Sequence, residues 1–114
     1  MQSQQKRGIQ VTEINSIEQF KELIQNGKSI VLFTANWCPD CMVIKPFMPA
    51  IVEKYSDFKF YTVNRDNLMD LCVELDIFGI PSFVAFHNGV ESGRFVNKDR
   101  KTRQQIEDFI ESLV

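Results

Sequence analysis

The chain has 114 residues, enough for one domain with a real core and too few for two. Charged residues make up 25% and apolar residues 44%, an ordinary balance for a water-soluble globular domain. The net charge of −2 gives no general case for nucleic-acid binding, and no apolar run approaches the length of a membrane span.

In chain order, residues 1–8 are polar and are expected to form a flexible N-terminal tail ahead of a domain over 9–114. They lack the apolar stretch of a signal peptide, so a cytoplasmic location is expected. A weak first strand is predicted over 9–14. Ser16 then caps a helix to residue 25, with Gln19 completing a capping box and Asn26-Gly27 ending it. Ile17, Phe20, Leu23 and Ile24 share one face of that helix. The centre of 29–34 is continuously apolar, as expected of a strand covered on both faces. A helix opens near Cys38 and runs to about residue 55, kinked by Pro46 and disturbed again by Pro49. Next come a strand over 58–64 and a helix over 68–75. Strands over 83–87 and 90–96 flank Asn88-Gly89, the strongest short hairpin signal. Thr102 and Gln105 open a last helix whose apolar face carries Ile106, Phe109, Ile110 and Leu113. Strands alternating with helices, then a closing hairpin and helix, predict an α/β fold with a central mixed sheet and helices on both faces.

The segment Asn36-Trp37-Cys38-Pro39-Asp40-Cys41 carries the chemistry. Two cysteines separated by two residues can close a small disulfide ring. A strand that delivers the first to a helix start places its sulfur among unpaired N–H groups and the positive end of the dipole. That environment favours the thiolate, the form that attacks disulfides. In the cytosol such a pair is catalytic or metal-binding more often than a structural staple. The arrangement therefore points to dithiol–disulfide exchange.

With these cysteines, Pro46 five residues past Cys41, Gly79-Ile80-Pro81-Ser82-Phe83 and Asn88-Gly89, the chain resembles the thioredoxin superfamily from residue 9 to residue 113. Within it, the chain is similar to members carrying Trp-Cys-Pro-Asp-Cys in place of Trp-Cys-Gly-Pro-Cys. Thioredoxin is itself the standard example of this motif, so the link from spacing to redox chemistry is an established one. The resemblance implies the thioredoxin fold and a disulfide reductase. Cys38 is then the exposed nucleophile. Cys41, one turn further in and more buried, displaces the mixed disulfide between Cys38 and a substrate. Trp37 walls the contact surface and Pro39 stiffens the ring. Asp40 suits the helix dipole but opposes a negative charge on Cys38. Pro81 matches the family's cis proline, which presents the backbone of Ile80 to an extended substrate peptide.

The chain also departs from the family pattern. The residue six before the first cysteine is usually a buried aspartate, and here it is Leu32. The tryptophan common four before that cysteine is Thr34, no lysine occurs in 60–64, and the groove glycine aligns with Asn97. These changes leave the exchange reaction in place and count against a broad-range activity.

Other reactive residues have plainer readings. Cys72 shares a helical face with Leu68, Leu71 and Leu75 and reads as core. His87 reads as a solvated turn residue, and no paired clusters of Cys and His suggest zinc. Asp66, Asp70 and Glu74 form an acidic stripe read as a solvated face. Arg94, Lys98, Arg100, Lys101 and Arg103 read as a charged loop before a helix, the alternative being a surface for an acidic partner protein or an anionic thiol compound.

The expected activity is therefore reduction of protein or mixed disulfides by a monomer through Cys38 and Cys41. No cofactor is implied, because both electrons reside on the two sulfurs. The expected partners are disulfide-containing proteins and a thioredoxin reductase drawing on NADPH, with no nucleic acid or membrane. The alternatives are glutaredoxin-like removal of low-molecular-weight thiols, or a non-catalytic binding module with a regulatory or metal-holding cysteine pair.

Overall fold

The structure is a computed structural model that describes residues 11–113. The expected tail over 1–8 and the start of the first predicted strand lie outside the described residues. The elements are β1 (Thr12–Ile14), α1 (Ile17–Leu23), β2 (Lys28–Thr34), α2 (Pro39–Ile44), α3 (Met48–Lys54), β3 (Lys59–Asn64), α4 (Met69–Glu74), β4 (Ser82–His87), β5 (Val90–Phe95) and α5 (Arg103–Glu111).

Among the described residues the strands form one sheet in the order β1-β3-β2-β4-β5. β3 runs parallel to both β1 and β2, whereas β4 is antiparallel to β2 and β5. The central position of β2 explains its unbroken apolar run. Val31 and Phe33 point into a core shared with Phe20, Leu71 and Cys72, while Ile30 and Leu32 enter the opposite core with Ile44, Ile51 and Ile106. Alternate residues of one strand thus serve both layers. The chain has the α/β thioredoxin fold its sequence predicts.

The terminal signals act locally as expected. The Ser16 hydroxyl accepts the Gln19 N–H at 3.0 Å, but the Gln19 side chain reaches back to the N–H of Asn15 rather than of Ser16. At Thr102 the capping box closes in full. Asn88 and Gly89 take positive φ values of 52° and 87°, as a hairpin turn of the mirror-image class requires. The long predicted helix after Cys38 is broken in two. Lys45–Phe47 is a turn of 3₁₀ helix around Pro46, because proline cannot donate to the preceding turn.

Cys72 is 2% exposed and packs in the core beneath α1 and α4. Burial pushes its thiol pKa up, with Arg65 partly opposing. Cys72→Ala is therefore expected to cost about 1 kcal/mol, an ordinary core loss, while retaining turnover. Chemical denaturation paired with an activity assay checks this, and a large loss of turnover in a fully folded variant would contradict it.

Candidate active site

β2 ends at Thr34, and the turn that follows hands the chain to α2 with Cys38 as its N-cap. Pro39 occupies the first turn, where a missing N–H costs nothing. The Cys38 sulfur accepts the Cys41 N–H at 3.1 Å, and its thiol lies 4.0 Å from the carbonyl oxygen of Ile80. The Ile80–Pro81 peptide is cis. Sequence positions 38–41 and 80–81 thus meet in space, as expected, and both cysteines are free thiols.

One expectation fails. Cys38 is buried, at 4% exposure against 1% for Cys41. The order of burial holds, but the first sulfur does not stand in open solvent. It lines a groove of about 300 Å³ with Trp37, Pro39, Asp40, Arg65, Phe78, Gly79, Ile80 and Lys98. The walls come from distant segments, so a strand–turn–helix reading of 30–41 alone could not place them. Two of the aromatic side chains lining it are well exposed, Trp37 at 58% and Phe78 at 76%.

The Cys41 thiol pKa is pushed up to about 11, first by burial and then by its hydrogen bond with Cys38, with Thr34 and Ala35 partly opposing. Behind it lies a cavity of about 220 Å³ that Cys41 shares with Leu32, Thr34, Ile44, Phe60, Tyr61 and Thr62. Leu32 therefore sits beneath the second cysteine, where the family commonly places an acid.

Two polar readings from sequence are corrected. The stripe of Asp66, Asp70 and Glu74 is exposed, but Asp66 is more than solvated surface. Its carboxylate accepts the Trp37 indole N–H at 2.8 Å, and Arg65 lies over the same ring at 5.1 Å. The basic segment before α5 is not uniformly solvated either. Lys101 is 1% exposed, and its ammonium donates to the Asn97 side-chain oxygen and the Asp99 carbonyl, both at 2.9 Å. Next to it, Arg100 bonds Asp40 at 2.9 Å. The Asp40 charge that was expected to oppose a thiolate on Cys38 is thereby compensated. His87 stays an exposed hairpin residue. Among the described residues, no group of three or more His, Cys, Asp or Glu side chains is placed to hold a metal.

A dithiol at the junction of a central strand and a helix, with a cis proline across from it, defines a protein of thiol–disulfide exchange. The family model for thioredoxin matches residues 10–112. Thioredoxin of Mycoplasma genitalium is 34% identical over 94 residues, covering 82% of this chain and 92% of that protein. Thioredoxin of Bos taurus is 32% identical over 107 residues, covering 91% of this chain and 99% of that protein. In three dimensions, the chain is similar to thioredoxin from Trypanosoma brucei brucei, with a TM-score of 0.79, 26% identity and 97% of each chain covered. The chain belongs to the thioredoxin family and is a thioredoxin-type disulfide oxidoreductase. Neither the glutaredoxin-like reading nor the binding-module reading is favoured by these relatives.

Proposed function

We propose that Cys38 and Cys41 reduce disulfides in protein substrates, with Cys38 attacking and Cys41 resolving. The observation that carries this reading is the Cys38 sulfur at the N-cap of α2, accepting the Cys41 N–H at 3.1 Å beside the Ile80 carbonyl. A backbone donor aimed at that sulfur stabilises negative charge on it.

The Cys38 thiolate attacks one sulfur of a substrate disulfide, forming a mixed disulfide and releasing the other sulfur, which takes a proton. Cys41 then loses its proton and attacks Cys38, closing the Cys38–Cys41 disulfide and releasing the second substrate thiol. Two electrons pass to the substrate. A thioredoxin reductase returns the pair to the dithiol at the expense of NADPH. Around the sulfurs, Trp37 and Pro39 shape the groove, Asp40 is held by Arg100, and the backbone of Ile80 before Pro81 takes an extended substrate segment as an added strand. In this reading the protein works as a monomer in the cytoplasm, whose reducing poise keeps the pair as a dithiol. No helix among the described residues is long and apolar enough to cross a membrane.

The test is to offer the oxidised protein NADPH with thioredoxin reductase, then a set of disulfide substrates. NADPH consumption that depends on both protein and substrate is expected. Turnover on no substrate would favour a binding module instead.

The raised Cys41 thiol sets a pH dependence. An ordinary cysteine titrates near 8.5, so a rate limited by its thiolate flattens above about pH 9. In the free dithiol Cys41 is pushed up to about 11. Once Cys38 is tied into a mixed disulfide its contribution is gone, but burial, the largest cause, still holds the Cys41 thiol up, so release is expected to keep climbing above pH 9. Stopped-flow release from a preformed mixed disulfide reads this directly.

A further inference from the structure

The groove beside Cys38 has an electrostatic character opposite to that of the whole chain. The chain carries a net charge of −2, yet the groove and its edge bring together Arg65, Lys98 and Arg100 against Asp40 and Asp66. Both carboxylates are already engaged. Asp40 bonds Arg100 at 2.9 Å, and Asp66 takes the Trp37 indole N–H at 2.8 Å with Arg65 a longer 3.6 Å away. The two cations that line the groove itself are less satisfied. Among the described residues Lys98 has no ion-pair partner, and the Arg65 Nε is buried with no hydrogen-bond acceptor.

The Arg65 guanidinium and the backbone that carries Lys98 are held in place. The Arg65 guanidinium lies over the Trp37 ring at 5.1 Å. The backbone at Lys98 is pressed against the segment leading to the cis proline, so closely that a Cβ on Gly79 would meet the Lys98 nitrogen at 2.6 Å. The Ser82 hydroxyl bonds the Gly79 carbonyl at 2.6 Å and contacts the Asn97 carbonyl at 3.2 Å. Buried Lys101 gathers the same turn from beneath, donating to the Asn97 carbonyl at 3.3 Å and to the Asp99 carbonyl at 2.9 Å. The lysine side chain is therefore presented from a fixed backbone on the wall that an extended peptide crossing Ile80 would touch. The half-buried Arg65 guanidinium, stacked on Trp37, meets a carboxylate with less ordering cost than a free side chain, while the exposed Lys98 side chain adds charge from a fixed backbone position.

We propose that Arg65 and Lys98 are specificity residues that select protein disulfides flanked by acidic side chains. This inference rests on the disulfide-reductase reading. An aspartate or glutamate next to the attacked cysteine would pair with Lys98 and Arg65 across the groove, while a lysine there would meet like charge. Partly exposed pairs of this kind are individually weak and salt-sensitive, so the effect is one of preference, read in association more than in the chemical step.

The experiment uses the fully reduced protein in single-turnover reactions, so that no reductase contributes. Two peptides share one disulfide loop and differ only in carrying glutamate or lysine beside the cysteines. Faster second-order reduction of the acidic peptide, by about fivefold at low salt, is expected, the ratio narrowing as salt is raised. Lys98→Glu should abolish or invert the ratio, and Arg65→Gln should reduce it. Lys21→Glu, an equal change of net charge at an exposed site on α1, should leave the ratio as it was. Thermal unfolding confirms that each variant is folded. Equal reduction of both peptides by the natural protein, or a ratio that Lys98→Glu does not move, would overturn the inference while leaving the reductase reading intact. Reduction of neither peptide would overturn that reading and this inference with it.

Discussion

Replacing Cys41 by serine should fill the protein with covalent substrate adducts, whereas replacing Cys38 by serine should leave it with none and with no exchange activity. The asymmetry follows from the geometry. The Cys38 sulfur lines the groove and accepts a backbone N–H, while Cys41 lies deeper with its thiol pushed up to about 11. Without Cys41, attack still occurs but the mixed disulfide has no internal thiol to release it. Turnover in both variants should fall to the background of the uncatalysed reaction. Non-reducing gels of each variant incubated with an oxidised substrate separate the two behaviours. Equal adduct yields from both would reverse or remove the assignment of roles.

The second large effect is expected at Leu32. This side chain is 8% exposed, belongs to the core with Ile44 and Ile51, and lines the cavity behind Cys41. Leu32→Asp removes that packing, a loss of about 2–5 kcal/mol for a buried leucine, and adds the cost of a carboxylate without a built partner. Phe60, Tyr61 and Thr62 offer no cation there, and Lys45 at the cavity wall is exposed. Desolvation should raise the new carboxyl above its unfolded value near 4. A folded-state pKa raised for an acid means the native chain holds its proton longer than the unfolded one. The deficit should therefore be smallest below about pH 4 and grow as pH rises through the folded value. The same acid would accept the proton of Cys41, adding a pH-dependent component to mixed-disulfide release that the natural protein lacks. Denaturation curves across pH, with the pH profile of the release step, test both halves. Matching profiles and unchanged stability would mean that position 32 does not lie beneath the cysteines.

The features legible in the sequence are those whose cause is local. A continuous apolar run specified β2 because a central strand buries both faces, and Thr102 with Gln105 specified the start of α5 because each satisfies the other's free backbone donor. Asn88-Gly89 specified the hairpin through its positive φ values. The Cys-x-x-Cys spacing placed the sulfurs at the helix start. What stayed hidden depends on partners distant in the chain. The burial of Cys38 is set by walls contributed by Phe78–Ile80 and Lys98, and nothing near residue 38 encodes them. Lysine is ordinarily a surface residue, and the burial of Lys101 becomes tenable only because the turn after β5 supplies the oxygens of Asn97 and Asp99. Likewise Arg100 meets Asp40 across 60 positions and Asp66 meets Trp37 across 29, separations at which no local pattern pairs the residues. The local pattern pointed to Cys38 and Cys41, and the tertiary fold supplied the groove that Cys38 lines.

The most direct test of a Cys38–Cys41 exchange couple is to react the reduced protein with a disulfide substrate and map its cysteines by mass spectrometry. One Cys38–Cys41 disulfide is expected for each substrate disulfide reduced, with Cys72 recovered as a free thiol. Substrate reduced without formation of that disulfide, or a product in which Cys72 is a partner, would contradict the account.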